Sequence, residues 1–115
     1  MRRSDQRRDA VFASYQRDVT GRPLEELIEG TEREQDELDA LIERHAVGWT
    51  LDRIAPLERS ILRVALHEMQ SREDIPAEVA IDEAVEAAKE LCSAEAPKFV
   101  NGILGAVQRE RVGAG

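Results

Sequence analysis

Four arginines near the N-terminus are the residues whose type and spacing are best suited to a chemical task. Arg3 and Arg7 lie four positions apart, so they share one face of a helix, and Arg2 and Arg8 flank them. Guanidinium groups donate forked hydrogen bonds that match the geometry of phosphate. The pattern is compatible with nucleic-acid binding, but many solvated helix faces have the same spacing. The arginines alone leave both interpretations open.

Charge is distributed unevenly along the 115 residues, whose net charge is −8. Residues 1–17 contain five arginines and two aspartates, a net charge of +3. Residues 25–43 contain nine acidic residues and one arginine, a net charge of −8. A uniformly acidic protein would be repelled by phosphate, whereas a basic N-terminal end tolerates it.

Catalytic patterns are not recognisable in this sequence. It contains no glycine-rich phosphate loop, no HExxH and no GxSxG motif. His45 and His67 fall on different predicted helices without an evident acidic partner, so both are interpreted as packed or surface residues. Cys92 is the single cysteine, which excludes an intrachain disulfide, and no evident base would make it a nucleophile. The sequence predicts a binding protein that is not an enzyme and has no cofactor or metal.

The expected location is the cytoplasm, without membrane contact. No segment resembles a membrane span, and the N-terminus is charged where a signal peptide would have an apolar run.

Helices are the elements expected to position these residues. Charged residues make up 35 % of the chain and aromatic residues only 3 %, which favours amphipathic helices around one core. The apolar spacing predicts the following segments: a helix from about Ser4 to Thr20, a second from Pro23 to about His45, a short turn at Trp49–Ile54, and three helices that open at Pro56, Pro76 and Pro97. The second helix has few apolar residues near Thr31 and Gln35, where either a bend or partial exposure is expected.

The predicted fold is all-α, a single compact helical domain of about five to six helices. The helix that opens at Pro56 is apolar around much of its circumference and is therefore expected at the centre. We expect an N-terminal helical half over residues 1–47, a C-terminal helical bundle over residues 48–111 and a disordered tail at residues 112–115.

Three runs in the second half of the chain form ordered motifs. They are Trp49–Met69, with W-x-L-D-R and L-R-x-A-x-x-E; Asp74–Lys89, with D-I-P-x-x-V-A-I-[ND]-E-A-V-x-x-A-K; and Lys98–Leu104, with K-F-V-N-G-[VI]-L. Arg3–Gln16 adds an R-x-x-x-R-x-x-A-x-x-A-x-Y-Q pattern. In this order and register the chain resembles the NusB family of bacterial transcription antitermination factors.

The resemblance implies an all-α protein that binds boxA-type single-stranded RNA together with the ribosomal protein NusE. This pair belongs to an antitermination complex on RNA polymerase that acts in ribosomal RNA transcription. By position, the implied RNA-binding residues are Arg3 and Arg7, with Arg2 and Arg8 as helpers, and a second segment of Glu95, Lys98, Phe99 and Asn101. The implied NusE-binding residues are Tyr15 and Glu58. Arg59 and Arg63 are left open between either surface and internal ion pairs.

Several alternatives remain at the level of sequence. Phe99 lies in an apolar stripe and is also explained as a core residue, and Asn101 is also explained by packing within a helix. Gly21–Pro23 joins the first two predicted helices directly, so the N-terminal half is shortened relative to the family. A homodimer would cover apolar surface exposed by that shortening.

Two other functional classes compete with RNA binding. One is a NusB-like protein-interaction module without RNA binding, which would act through Tyr15 and Glu58. The other is a fragment of a ribosomal RNA methyltransferase with a NusB domain, since a chain that ends at Gly115 has no room for the methyl-transfer domain.

Overall fold

The computed structural model describes residues 31–71 and 76–114. Within these ranges the chain forms four α-helices and a short 3-10 turn, without a strand: α1 (Gln35–His45), the 3-10 turn (Leu51–Arg53), α2 (Pro56–Ser71), α3 (Ala77–Leu91) and α4 (Ala96–Ala114). The prediction of an all-α fold is confirmed.

Helix α2 lies at the centre of the described structure, as its apolar circumference predicted. It packs against α1, α3 and α4. Its first residue is Pro56, whose fixed φ suits the first turn of a helix. Proline has no N–H, and this costs nothing there because an N–H in the first turn has no acceptor within the helix. The buried side chains of α2 are mainly aliphatic: Ile61, Leu62, Val64, Ala65, Leu66 and Met69. Two polar residues, His67 and Glu68, are buried on the same helix.

Among the elements of the described ranges, helices α3 and α4 form the most extensive contact. The buried face of α3 carries four alanines, Ala80, Ala84, Ala87 and Ala88, whose small side chains allow close helix approach. The facing side chains of α4 are larger and include Val100, Ile103, Leu104 and Val107. This pairing fixes the position of the α4 N-terminus, where three of the predicted RNA-binding residues lie.

The bend expected in the second predicted helix lies at Glu34. Residues 31–33 are helical, Glu34 is a turn residue with φ −98° and ψ 4°, and α1 starts at Gln35. No apolar residue occurs between Thr31 and Glu37, and Leu38 is the first buried side chain among the described residues. This stretch therefore has no apolar face to pack against the core, and the packing that keeps an amphipathic helix straight is missing there.

Helix α4 extends further than the sequence indicated. Disorder was expected from residue 112, and the helical backbone of α4 extends to Ala114. Arg111 in the last turns of α4 donates a hydrogen bond to the Met69 carbonyl oxygen near the end of α2, at 2.7 Å. This contact joins the last part of α4 to the end of α2.

Helices long and apolar enough to cross a membrane are not found in the described ranges.

Candidate nucleic-acid and partner interface

The turn after α1 positions Trp49, a large aromatic side chain that is exposed to solvent. Gly48 has φ +83°, a left-handed conformation that glycine adopts without steric cost, and the Trp49 amide donates to the Ala46 carbonyl at 2.9 Å. The chain therefore turns sharply before Trp49, whose surface is 50 % exposed. Val47 in the same turn is 89 % exposed. Two large apolar side chains, separated by one glycine in sequence, are thus presented to solvent in the same turn.

Phe99 in the first turn of α4 meets Trp49. The two ring centroids are 5.8 Å apart and the ring planes are inclined at 62°, an edge-to-face arrangement. Phe99 is partly buried and packs against the hydrophobic core. The core interpretation of Phe99 is therefore correct for part of its surface, while the rest faces the groove described next.

A groove of about 660 Å³ runs beside this aromatic pair. We call it the carboxylate groove, and its lining is Trp49, Glu58, Ser93, Ala94, Glu95, Ala96, Lys98 and Phe99. The family resemblance implies a protein-interface role for Glu58 and RNA contacts for Glu95, Lys98 and Phe99. The structure brings all four residues into one groove, where the loop between α3 and α4 passes the first turn of α2.

Glu58 is the ionisable group whose titration this groove alters. It lies in the first turn of α2, where the helix dipole favours a negative charge. Nevertheless, burial raises the pKa of the Glu58 carboxyl above its ordinary value of 4.5, because the ionised form loses part of its hydration. A cation placed beside Glu58 would reverse this effect.

A second groove, of about 290 Å³, shares three lining residues with the carboxylate groove. We call it the Gly102 groove, and its lining is His45, Ala46, Val47, Trp49, Lys98, Phe99, Gly102 and Ile103. Its lining includes no carboxylate. A Cβ added at Gly102 would meet nothing within 4 Å, so this part of the groove is open. Trp49, Lys98 and Phe99 line both grooves and form the ridge between them.

The remaining predicted site residues fall into two groups. Asn101 is exposed on α4, three positions after Lys98, and lines neither groove. The other five, Arg2, Arg3, Arg7, Arg8 and Tyr15, lie outside the described residues.

Arg63, which the sequence left open, forms an internal ion pair. Its Nε and one terminal nitrogen donate to the two carboxylate oxygens of Asp39, at 2.7 and 2.9 Å. Both side chains are mostly buried between α1 and α2. Arg63 thus links two helices of the core region, whereas Arg59 is partly buried with its Nε shielded from solvent.

Both histidines have acidic partners that are distant in sequence. The His67 Nδ1 lies 2.8 Å from a carboxylate oxygen of Glu34, and the His45 Nε2 lies 2.8 Å from Glu110. These pairs span 33 and 65 residues, so no local spacing could have revealed them. The histidines are packed residues, as predicted. Over residues 31–71 and 76–114, no group of three or more His, Cys, Asp and Glu side chains is arranged to hold a metal ion.

Trp49 was not singled out as a site residue by the sequence analysis. It entered only as the first letter of the W-x-L-D-R run, and the signal that could have indicated its exposure is the Gly48 turn directly before it. A tryptophan next to a left-handed glycine has no helical face to bury. Its contact with Phe99, fifty positions later, required the tertiary structure.

Comparison with known proteins places this geometry in a family context. The sequence profile described as the NusB family matches residues 5–109. The transcription antitermination protein NusB of Rubrobacter xylanophilus is 42 % identical over 122 residues, covering 90 % of this chain and 88 % of the relative. That of Bacillus subtilis is 41 % identical over 102 residues, covering 89 % and 78 %. A solved structure of T. maritima NusB superposes with a TM-score of 0.72 at 32 % identity, covering 95 % and 92 % of the two chains.

Proposed function

Because this chain belongs to the NusB family of transcription antitermination factors, a non-enzymatic RNA-binding family, we propose that it binds boxA-type single-stranded RNA together with the ribosomal protein NusE. In this role it acts with RNA polymerase in the antitermination complex of ribosomal RNA transcription, in the cytoplasm. The observation that carries the proposal is that one groove is lined by residues with implied contacts to both partners. These are Glu58 for NusE and Glu95, Lys98 and Phe99 for RNA.

The RNA side of the proposal rests on three side chains of α4. Single-stranded RNA is bound by cations along its backbone and by aromatic and amide groups that contact unstacked bases. Lys98 and Asn101 are exposed, and Phe99 is partly exposed beside them. Arg3 and Arg7, with Arg2 and Arg8 as helpers, would add phosphate contacts from the predicted first helix.

The protein side rests on Glu58. Burial raises the pKa of its carboxyl because the ionised form is partly dehydrated, and a cationic group from a partner would offset this dehydration. Glu95 lines the same groove and adds a second negative charge. A basic segment of NusE, held additionally by Tyr15, fits this charge pattern.

The experiment that tests this proposal measures binding of a boxA RNA and of a scrambled RNA in the presence of purified NusE. Titrations at several salt concentrations give the slope of log affinity against log salt. For single-stranded RNA this slope is about −0.7 for each phosphate neutralised. Equal affinity for the boxA and scrambled RNAs would contradict the proposed function.

The Lys98→Ala variant tests the contribution of α4. If Lys98 neutralises one phosphate, the variant weakens binding to every RNA and makes the salt slope less steep by about 0.7. Lys89→Ala is the matched control, because Lys89 is exposed on α3, pairs with Glu86 at 3.1 Å and lines neither groove. Identical salt slopes for the two variants would remove Lys98 from the RNA surface.

The alternative of a protein-interaction module has one observation in its favour. The carboxylate groove contains two carboxylates and only one ammonium group, a balance that suits a basic protein segment more than a phosphate backbone. This alternative predicts that NusE binds with normal affinity while no RNA, boxA or scrambled, changes that affinity.

A further inference from the structure

We propose that Trp49 is a stacking residue for one unpaired RNA base, which enters the Gly102 groove with its phosphate beside Lys98. The proposal rests on the proposed RNA binding and adds a contact residue and the groove in which the RNA strand lies. It concerns a residue to which neither the motif pattern nor the family resemblance assigned a contact.

Exposure is the first argument for a ligand at this position. Among the described residues the exposed large hydrophobic side chains are Val47, Trp49 and Val79, and two of these three occur in the turn after α1. Hydration of an indole and a neighbouring valine is unfavourable, and contiguous apolar surface rimmed by polar groups marks binding sites. The histidine and lysine that border the Gly102 groove supply such a rim.

Rigidity is the second argument. The indole is held by the turn at Gly48 on one side and by its contact with Phe99 on the other. Because the two rings meet at 62°, they do not stack face to face, and at least one face of the indole stays uncovered by Phe99. A side chain already held in place loses little conformational entropy when a base stacks on it.

Charge decides between the two grooves. A phosphate in the carboxylate groove would approach Glu58 and Glu95, whereas the lining of the Gly102 groove contains Lys98 and no carboxylate. The nearest acidic group to His45 is Glu110, which is already engaged by the His45 ring and by Arg44 at 2.8 Å each. The strand therefore runs on the Gly102 side of the Trp49–Phe99 ridge, and the carboxylate groove is left for a basic partner.

Space is consistent with this placement. The glycine at position 102 leaves the wall of the groove without a side chain, and no atom within 4 Å would contact a Cβ there. A flat base that slides over Trp49 needs this kind of open wall. Substitution of Gly102 by a larger residue would narrow the groove without disturbing a packed neighbour.

The experiment uses the full chain and its single tryptophan, which makes intrinsic fluorescence a report on Trp49 alone. A boxA RNA carrying a terminal dye outside the tryptophan emission band is titrated without NusE, and both tryptophan emission and dye polarisation are followed. We expect tryptophan quenching to saturate at the same RNA concentration as the polarisation change. Polarisation that saturates while tryptophan emission stays constant overturns the proposal.

Substitutions give an independent measurement. Trp49→Ala is expected to weaken RNA binding by about 5- to 100-fold, the range for the loss of one stacked base, and Trp49→Phe by less. Because stacking involves no counterion, the salt slope stays unchanged in Trp49→Ala, which separates this effect from that of Lys98→Ala. Val79→Ala is the control for an exposed apolar residue that lines neither groove.

Failure of this inference is distinguishable from failure of the proposed function. If wild-type protein binds boxA RNA specifically and Trp49→Ala binds it equally well, RNA binding stands and Trp49 has no part in it. If Trp49→Ala and Trp49→Phe lose NusE affinity but keep RNA affinity, the ridge belongs to the protein interface and the inference is wrong. Thermal unfolding of each variant identifies loss of folding, and the wild-type quenching experiment then decides alone.

Discussion

Glu58 is the residue where folding and binding are expected to be in conflict. Its ionised carboxylate is partly dehydrated in the free protein, so the folded state binds its proton more tightly than the unfolded state does. Such a group adds stability in its protonated form at low pH. That contribution is lost as the pH rises from the unfolded pKa of about 4.5 through the raised pKa of the folded state.

The Glu58→Gln variant tests this directly. Glutamine has nearly the same shape but does not ionise, so its stability relative to wild type should increase as the pH rises through this window and then become constant. Urea unfolding at a series of pH values measures the difference. Glu90→Gln serves as the control, because Glu90 is exposed on α3. A wild-type protein that gains stability relative to Glu58→Gln with rising pH would contradict the assigned sign.

Binding should show the opposite preference at the same residue. If NusE places a cation beside Glu58, the glutamine variant loses affinity for NusE although the free protein is stabilised. If Glu58→Gln raises the free energy of unfolding and lowers the affinity for NusE, Glu58 contacts NusE. A glutamate with a purely structural role would not show this loss of affinity.

At the level of the elements, the Arg63–Asp39 pair joins α1 to α2. Both guanidinium–carboxylate contacts are made and both side chains are mostly buried, so removal of one partner leaves the other charge poorly hydrated. The pair continues the packing of Leu38 and Ile42, which are completely buried on α1. Arg63 is therefore a structural residue of the bundle, although its motif also contains surface positions.

Arg63→Ala is expected to lower the free energy of unfolding by about 2 kcal/mol, the scale of a hydrogen-bonded charge left without its partner. Urea unfolding of Arg63→Ala, Asp39→Ala and the double variant gives the coupling energy between the two side chains. The salt slope of RNA binding should not change, because Arg63 is already engaged. A shallower slope would place Arg63 at the RNA surface instead.

For the whole molecule, stability depends on how α2 is surrounded. Leu62 is completely buried in a helix that contacts three others, so Leu62→Ala removes a side chain whose space cannot be refilled without moving a neighbouring helix. We expect a loss of about 3 kcal/mol in the free energy of unfolding. Val47→Ala, at an 89 % exposed position, should change it by less than about 0.5 kcal/mol. A Leu62→Ala variant as stable as Val47→Ala would show that α2 is not central.

Within the described residues, the helices, their approximate limits and the central place of α2 could be predicted from the sequence alone. Helical periodicity is a local property, and the apolar stripe of each helix states which face is buried. The motifs were sufficient to recognise the family, because the order and spacing of motifs are also properties of the sequence. The bend at Glu34 agrees with the same local pattern, since this stretch has no apolar side chain to pack against the core.

Only the tertiary structure decided which faces and loops meet. Trp49 contacts Phe99, Glu58 shares a groove with Glu95, and His45 reaches Glu110, pairs separated by between 37 and 65 residues. A periodic pattern carries no information on such pairs, because it specifies that a face is buried and not what covers it. The carboxyl pKa shift, the two grooves and the exposed tryptophan between them all arise from these long-range contacts.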